Sequence, residues 1–140
     1  MAGTIQVDIV SAEGEIYSGQ AQMVFLPAAE GEIGVAPRHA PLLALLKAGE
    51  VRVQLPEGSE LSFYVGGGAL EVQPARVTVL ADTAARAHDL DEAAALAARQ
   101  RAEEALAAKV DRIELAEAQA ELVRAAVQLK LIQKLRKHRG

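Results

Sequence analysis

Few residues in this chain have the types and spacing for chemistry. The histidines are His39, His88 and His138, far apart in sequence and without the close spacing of a metal-binding set. They read as surface or core histidines. Glu30 and Glu32 flank Gly31, and as carboxylates in a short loop they allow an acid/base pair in principle. An exposed turn is the better reading. Gly66-Gly67-Gly68 follows an apolar run, Leu61–Val65, but a second strand-like run comes next. A phosphate cradle needs a helix N-terminus there, so a hairpin turn with positive φ is expected instead. The chain has no cysteine, which removes disulfides, thiolate metal sites and thiol nucleophiles. No catalytic constellation and no cofactor or metal site emerges, and the chain reads as no enzyme.

Composition narrows the remaining classes. At 140 residues the chain is one domain, or one domain with an appendage, and long enough for its own core. A formal net charge of −4 with 3% aromatic residues and no tryptophan argues against nucleic acid as a partner. No apolar run approaches the roughly 20 residues of a membrane span. Residues 1–20 hold no Lys or Arg, so no signal or transit peptide is expected. These features predict a soluble protein of a reducing compartment.

Two halves differ in period. In the first, Ile5, Val7 and Ile9 alternate with Gln6 and Asp8, which predicts a strand with one buried face. Further strands are expected over Gln20–Leu26, Glu50–Leu55, Leu61–Val65, Ala69–Val72 and Arg76–Leu80. Turn formers separate them at Ser18-Gly19, Pro56-Glu57-Gly58, Gly66-Gly67-Gly68 and Gln73-Pro74. Short strands at this spacing predict an antiparallel sandwich or barrel. The segment Glu30–Pro41, with its glycines and prolines, is expected to be a stiff projecting loop.

In the second half, 17 alanines fall within the 43 residues from Ala84 to Ala126. Asp89 and Glu92 have capping-box spacing and predict a helix from near Leu90; Asp111 and Glu114 predict another from near Arg112. The first helix places Ala94, Ala95, Ala98, Ala102, Ala105 and Leu106 on one stripe. The second places Leu115, Ala116, Leu122, Val123, Ala126 and Val127 together. The short Lys109–Asp111 link predicts an antiparallel hairpin. Alanine buries little area yet has the highest helix propensity, so such helices separate at low cost. Near the end of the second helix Lys130 and Lys134 enter the apolar stripe and Leu131 and Leu135 leave it. That end overhangs the first helix and is expected to pack on the sandwich or on another molecule.

Several blocks, in order, resemble one family. They are Val7-Asp8-Ile9-Val10-Ser11-Ala12-Glu13, Glu30–Leu43, Gly66-Gly67-Gly68-Ala69-Leu70-Glu71-Val72-Gln73-Pro74, Val77–Ala84 and Asp89-Leu90-Asp91-Glu92-Ala93. Together they resemble the epsilon subunit of bacterial and chloroplast ATP synthases. The resemblance implies an all-β sandwich of about ten strands over residues 1–86, then an α-helical antiparallel hairpin over 87–140. It implies a non-catalytic rotor subunit of the central stalk, bound to the gamma subunit and resting on the c-ring. It implies a peripheral place on the cytoplasmic side of a bacterial plasma membrane. The helices of this family extend to meet the alpha and beta subunits and inhibit ATP hydrolysis.

Residue by residue, the resemblance assigns Glu32 and His39 to the c-ring contact. The C-terminal end holds basic residues and no acidic one, and the resemblance supplies a partner in acidic segments of the beta subunits. Lys130, Lys134, Arg136 and Lys137 are therefore expected to hold the inhibitory state by charge, with Leu131 and Leu135 as its apolar anchors. Members that bind ATP carry Ile/Leu-Asp-x-x-Arg-Ala. Here Ala94 stands where the arginine belongs, so Asp91, Arg99 and Arg124 are left as a weak ATP set. A different class of reading remains open at this point: a free-standing β-sandwich binding module with a helical oligomerisation hairpin.

Overall fold

The computed structural model describes residues 3–108 and 111–139, with side chains through Lys137. The expected link at Lys109 and Val110, and the side chains of His138 and Arg139, lie outside what is described. The chain forms two compact units, Met1–Arg86 and Ala87–Gly140.

The first unit holds β1 (Ile5–Ser11), β2 (Gly14–Ala21), β3 (Met23–Ala28), β4 (Gly31–Val35), β5 (Leu42–Gln54), β6 (Glu60–Gln73), β7 (Arg76–Ala81) and β8 (Ala84–Arg86). Their order is β2-β1-β7-β6-β5-β3-β4, with β8 also on β6. Alternation works as expected in β1, where Ile5, Val7 and Ile9 are fully buried between half-buried Gln6 and Asp8. The core continues through Val24, Leu26, Val51, Val53, Phe63, Leu70, Val77 and Val79, all from this unit.

Among the described residues eight strands form the sandwich, where about ten are expected, and two of them, β5 and β6, are long enough to turn over midway. On β5 the residues of the core cluster are Leu46, then Val51 and Val53; on β6 they are Phe63 and Val65, then Leu70 and Val72. Side chains alternate with period two, so a change from even to odd numbering means the strand turns over at Lys47–Gly49 and at Gly66–Gly68. The two corners are neighbours, with Leu46 opposite Gly68 and Ala48 opposite Gly66. Gly66-Gly67-Gly68 is thus a bend inside β6, not a hairpin turn. Its positive φ values are real, 108° at Gly67 and 136° at Gly68. A Cβ on Gly68 would stand 2.2 Å from the Leu80 carbonyl oxygen, so only glycine fits. Here β6 exchanges β7 for β8 as its partner.

Two further expectations change. Ser18-Gly19 is no turn but part of β2, facing Asp8 and Val7, and the Gln20–Leu26 run breaks at Gln22 between β2 and β3. Within Glu30–Pro41 the residues Gly31–Val35 are strand, with β4 paired to β3, so the loop is Ala36–Pro41. That loop is held by the Arg38 N–H donating to Pro74 O at 2.8 Å and the His39 N–H donating to Ala36 O at 3.2 Å.

The second unit begins with a 3-10 turn, Ala87–Asp89, followed by α1 (Glu92–Ala107) and α2 (Arg112–Arg139). Asp91, not Asp89, caps α1, accepting from the N–H groups of Ala93 at 3.0 Å and Ala94 at 3.3 Å. Asp89 is taken up by the 3-10 turn. Asp111 caps α2, accepting from Glu114 N–H at 2.9 Å. The seam also differs from the expected stripe. On α1 it runs Ala95, Ala98, Ala102, Ala105, with Ala94 exposed; on α2 it runs Leu115, Ala118, Leu122, Ala125, Leu129, Ile132. Alternating steps of three and four make this a period of 3.5, a coiled-coil seam. Ala116, Val123 and Ala126 face solvent instead. The seam does not change face near Lys130. Beyond it, the overhanging end of α2 meets the 3-10 turn and Leu90 of its own unit, which was not among the expected partners.

Candidate interaction surfaces

Among the described residues no group of three or more His, Asp or Glu is placed to hold a metal ion.

Glu32 lies on β4 with its side chain 56% exposed, and Arg52 Nη2 donates to its Oε1 at 3.0 Å. His39 is half-buried in the Ala36–Pro41 loop, its Nδ1 2.7 Å from Ala40 O. The two expected contact residues thus sit on one strand and on the loop that leaves it. Arg52 was not foreseen, since its partners come from β3 and β4, far away in sequence.

An apolar row crosses the outer face of the sheet beside them. Leu45, Ala69, Leu80 and Val10 occupy one register across β5, β6, β7 and β1. Leu43 is 76% exposed, Leu45 70% and Leu80 53%. A groove of about 510 Å³ lies at the edge of this patch, between Glu30–Ile33 and Leu42–Leu45. A contiguous exposed apolar area on an otherwise complete sandwich marks a docking surface. The Leu42–Leu46 run carried this signal in sequence, because a strand apolar on both faces must cover one of them elsewhere.

On the outer face of β2, β1 and β7, Asp8 is the hub of a polar network. Ser18 donates to it at 2.7 Å, Gln6 at 2.9 Å and Arg76 at 2.6 Å. Burial works to raise the Asp8 carboxyl pKa, but the bonds from Gln6 and Ser18 and the Arg76 charge outweigh it, so the pKa lies below its ordinary value.

In the helical unit Asp91 is occupied as a cap, Arg99 pairs with Glu103 at 3.6 Å, and Arg124 is half-buried on α2. Of the basic residues, Lys130 and Lys137 are exposed and Lys134 half-buried, while Arg136 pairs with Glu92 at the start of α1. Leu131 is buried and Leu135 half-buried, beside a cleft of about 180 Å³ that Leu90, Ile132 and Leu135 line. In this folded state Leu131 is not presented to a partner. No described helix is long and apolar enough to cross a membrane.

Comparison with known proteins covers both units. Residues 4–87 match the beta-sandwich domain of the ATP synthase delta/epsilon chain, and residues 88–133 match its long alpha-helix domain. The chain is 63% identical to an ATP synthase epsilon chain of Nitrosococcus oceani, over 100% of both chains. It is 59% identical to one of Halorhodospira halophila over 96% of each chain, and 58% identical to one of Methylococcus capsulatus over 100% of each. The fold is also that of a chain in Euglena gracilis mitochondrial ATP synthase, with a TM-score of 0.67 at 17% identity, covering 98% of this chain and 82% of that one.

Proposed function

The chain belongs to the delta/epsilon chain family of ATP synthase, and from that premise we propose that it is the central-stalk rotor subunit, coupling c-ring rotation to the catalytic head through gamma. It performs no chemistry itself. The observation that carries the reading is the division of labour along the chain. A core complete within Ile5–Ala84 leaves an apolar row exposed for a permanent partner, and a separate alanine-seamed hairpin follows. Residues 1–86 and 87–140 act as two domains, the first binding and the second switching.

The Leu43, Leu45 and Leu80 surface binds gamma, and Glu32 and His39 contact the c-ring. The hairpin opens to bring Lys130, Lys134, Arg136 and Lys137 against acidic segments of the beta subunits, and so inhibits hydrolysis. Alanine at most seam positions supports this, since each buries little area and the helices persist apart. The subunit then sits peripherally on the cytoplasmic side of a bacterial plasma membrane, held there by the complex. The full-length identity to epsilon chains weighs against a free-standing binding module.

The test is addition of the full-length chain to an ATP synthase stripped of the corresponding subunit. Restored coupling of proton flow to ATP synthesis, with lowered hydrolysis, is expected. A chain that neither associates with gamma nor alters either rate rejects the proposal.

A further inference from the structure

Glu32 is not a free-swinging carboxylate. Gly34, Phe25, Arg52 and Ser62 form one register row across β4, β3, β5 and β6. Glu32 is two residues from Gly34 on β4, so both face the same side of the sheet. A Cβ on Gly34 would stand 2.8 Å from Met23 Cε and 3.2 Å from Phe25 Cε1. The missing side chain therefore makes the space in which the Phe25 ring lies. The Arg52 guanidinium carbon sits 4.4 Å from the centre of that ring. From this seat one Arg52 nitrogen reaches Glu32 at 3.0 Å and the other lies 3.8 Å from Glu60.

The three contacts divide the task. The ring face attracts the cation and holds the guanidinium plane, so less rotamer freedom is lost when Arg52 bonds to a carboxylate. Arg52 is only 26% exposed in its side chain while Glu32 is 56% exposed. The cation is thus the anchored member and the carboxylate the presented one. Arg52 occupies Glu32 Oε1, which leaves Oε2 to accept from outside. An exposed ion pair stabilises a fold by only about 0–1 kcal/mol, so its value here lies in direction.

We propose that Phe25 and Arg52 are positioning residues that aim the Glu32 carboxylate at a hydrogen-bond donor on the c-ring's polar loops. This rests on the reading of Glu32 as a ring contact. Gly34 belongs to the device as the gap beneath Phe25. The donor on the ring meets a half-neutralised carboxylate in one orientation, with its ordering cost met before docking.

The test compares full-length variants for affinity to two targets: the soluble head with gamma and no ring, and the complete complex stripped of its own copy. R52Q is expected to leave the first unchanged and weaken the second about threefold. R52K keeps the charge without the planar fork and is expected to fall between R52Q and the parent. E32Q alone should weaken ring-dependent binding, and E32Q with R52Q should be no weaker than E32Q. Melting temperature of each isolated variant reports folding, and F25L, which removes the seat but neither charge, repeats the test if R52Q melts early. An E32Q effect with none from R52Q, R52K or F25L overturns the proposal and leaves the ring contact standing. Additive E32Q and R52Q losses, or an equal loss on the ring-free head, also overturn it. No effect from E32Q rejects the ring contact and the proposal together.

Discussion

Arg136, near the end of α2, is ion-paired with Glu92, in the first turn of α1, across 44 positions of sequence. The pair closes the open end of the helical hairpin, while Arg101 and Glu121 pair at 3.3 Å nearer its middle. Arg136 therefore has a partner in the folded hairpin and, on the proposed function, a second one on the beta subunit.

On that proposal the folded and inhibitory states compete for the same guanidinium. Glu92→Gln removes the partner in the folded state only, and exposed pairs of this kind contribute about 0–1 kcal/mol. Inhibition of hydrolysis by the full-length variant is expected to strengthen, by about two- to fivefold in half-inhibiting concentration. Reversing Lys130, Lys134, Arg136 and Lys137 to Glu is expected to relieve inhibition and abolish its salt sensitivity. Dose–response curves at low and high salt check both; equal curves for all variants contradict the charge account.

Asp8 ties β1 to β7 through Arg76, and its depressed pKa has a defined pH consequence. A carboxylate with a lower pKa in the folded state stabilises fully above its unfolded pKa, near 3.9, and loses that contribution as pH falls through the folded value. Asp8→Asn is expected to lower stability at pH 7 by about 1 kcal/mol. The gap from the parent should close as pH drops below about 4. Urea unfolding at several pH values measures it, and a gap that is constant down to pH 2 would contradict the assignment.

Part of this architecture is legible in the chain and part is not, for physical reasons. Ile5, Val7 and Ile9 announce β1 because one face is buried and the other is not. Asp111 announces α2 because a cap is a local device. The corner at Gly66–Gly68 is not legible, since a glycine triplet that turns a strand over reads like one that ends it. The helical seam is obscured by alanine itself: Ala95 and Ala102 are buried while Ala94 and Ala97 are exposed, so hydrophobicity barely differs around the helix. Arg52 and the apolar row depend on pairings between distant strands, which no local pattern encodes. The comparisons with relatives carry the family, and the structure adds which side chains stand together.

The apolar row makes its own prediction. Leu45→Asp and Leu80→Asp are expected to leave the sandwich folded, as both side chains are exposed, and to weaken association with gamma tenfold or more. Burying one leucine contributes about 1.5–3 kcal/mol, and each 1.4 kcal/mol is tenfold. Titration against the gamma-containing head measures this; unchanged affinity in both variants places gamma elsewhere.

For nucleotide, Ala94 is exposed where ATP-binding relatives of this family would place an arginine, and Asp91 already serves as a cap. Calorimetric titration of the isolated protein is expected to show no ATP binding at micromolar concentrations. Ala94→Arg is expected to tighten it about ten- to hundredfold, the value of one charge-assisted hydrogen bond. Micromolar affinity in the parent contradicts this.

The division into a binding sandwich and a switching hairpin is tested most directly by ATP hydrolysis in the reconstituted head, comparing the full-length chain with one ending at Arg86. The core lies wholly within the shorter chain, so both are expected to bind gamma with similar affinity. Only the full-length chain is expected to lower hydrolysis. If the chain ending at Arg86 inhibits as strongly, or fails to bind while remaining folded, the hairpin is not the inhibitory element and the account is wrong.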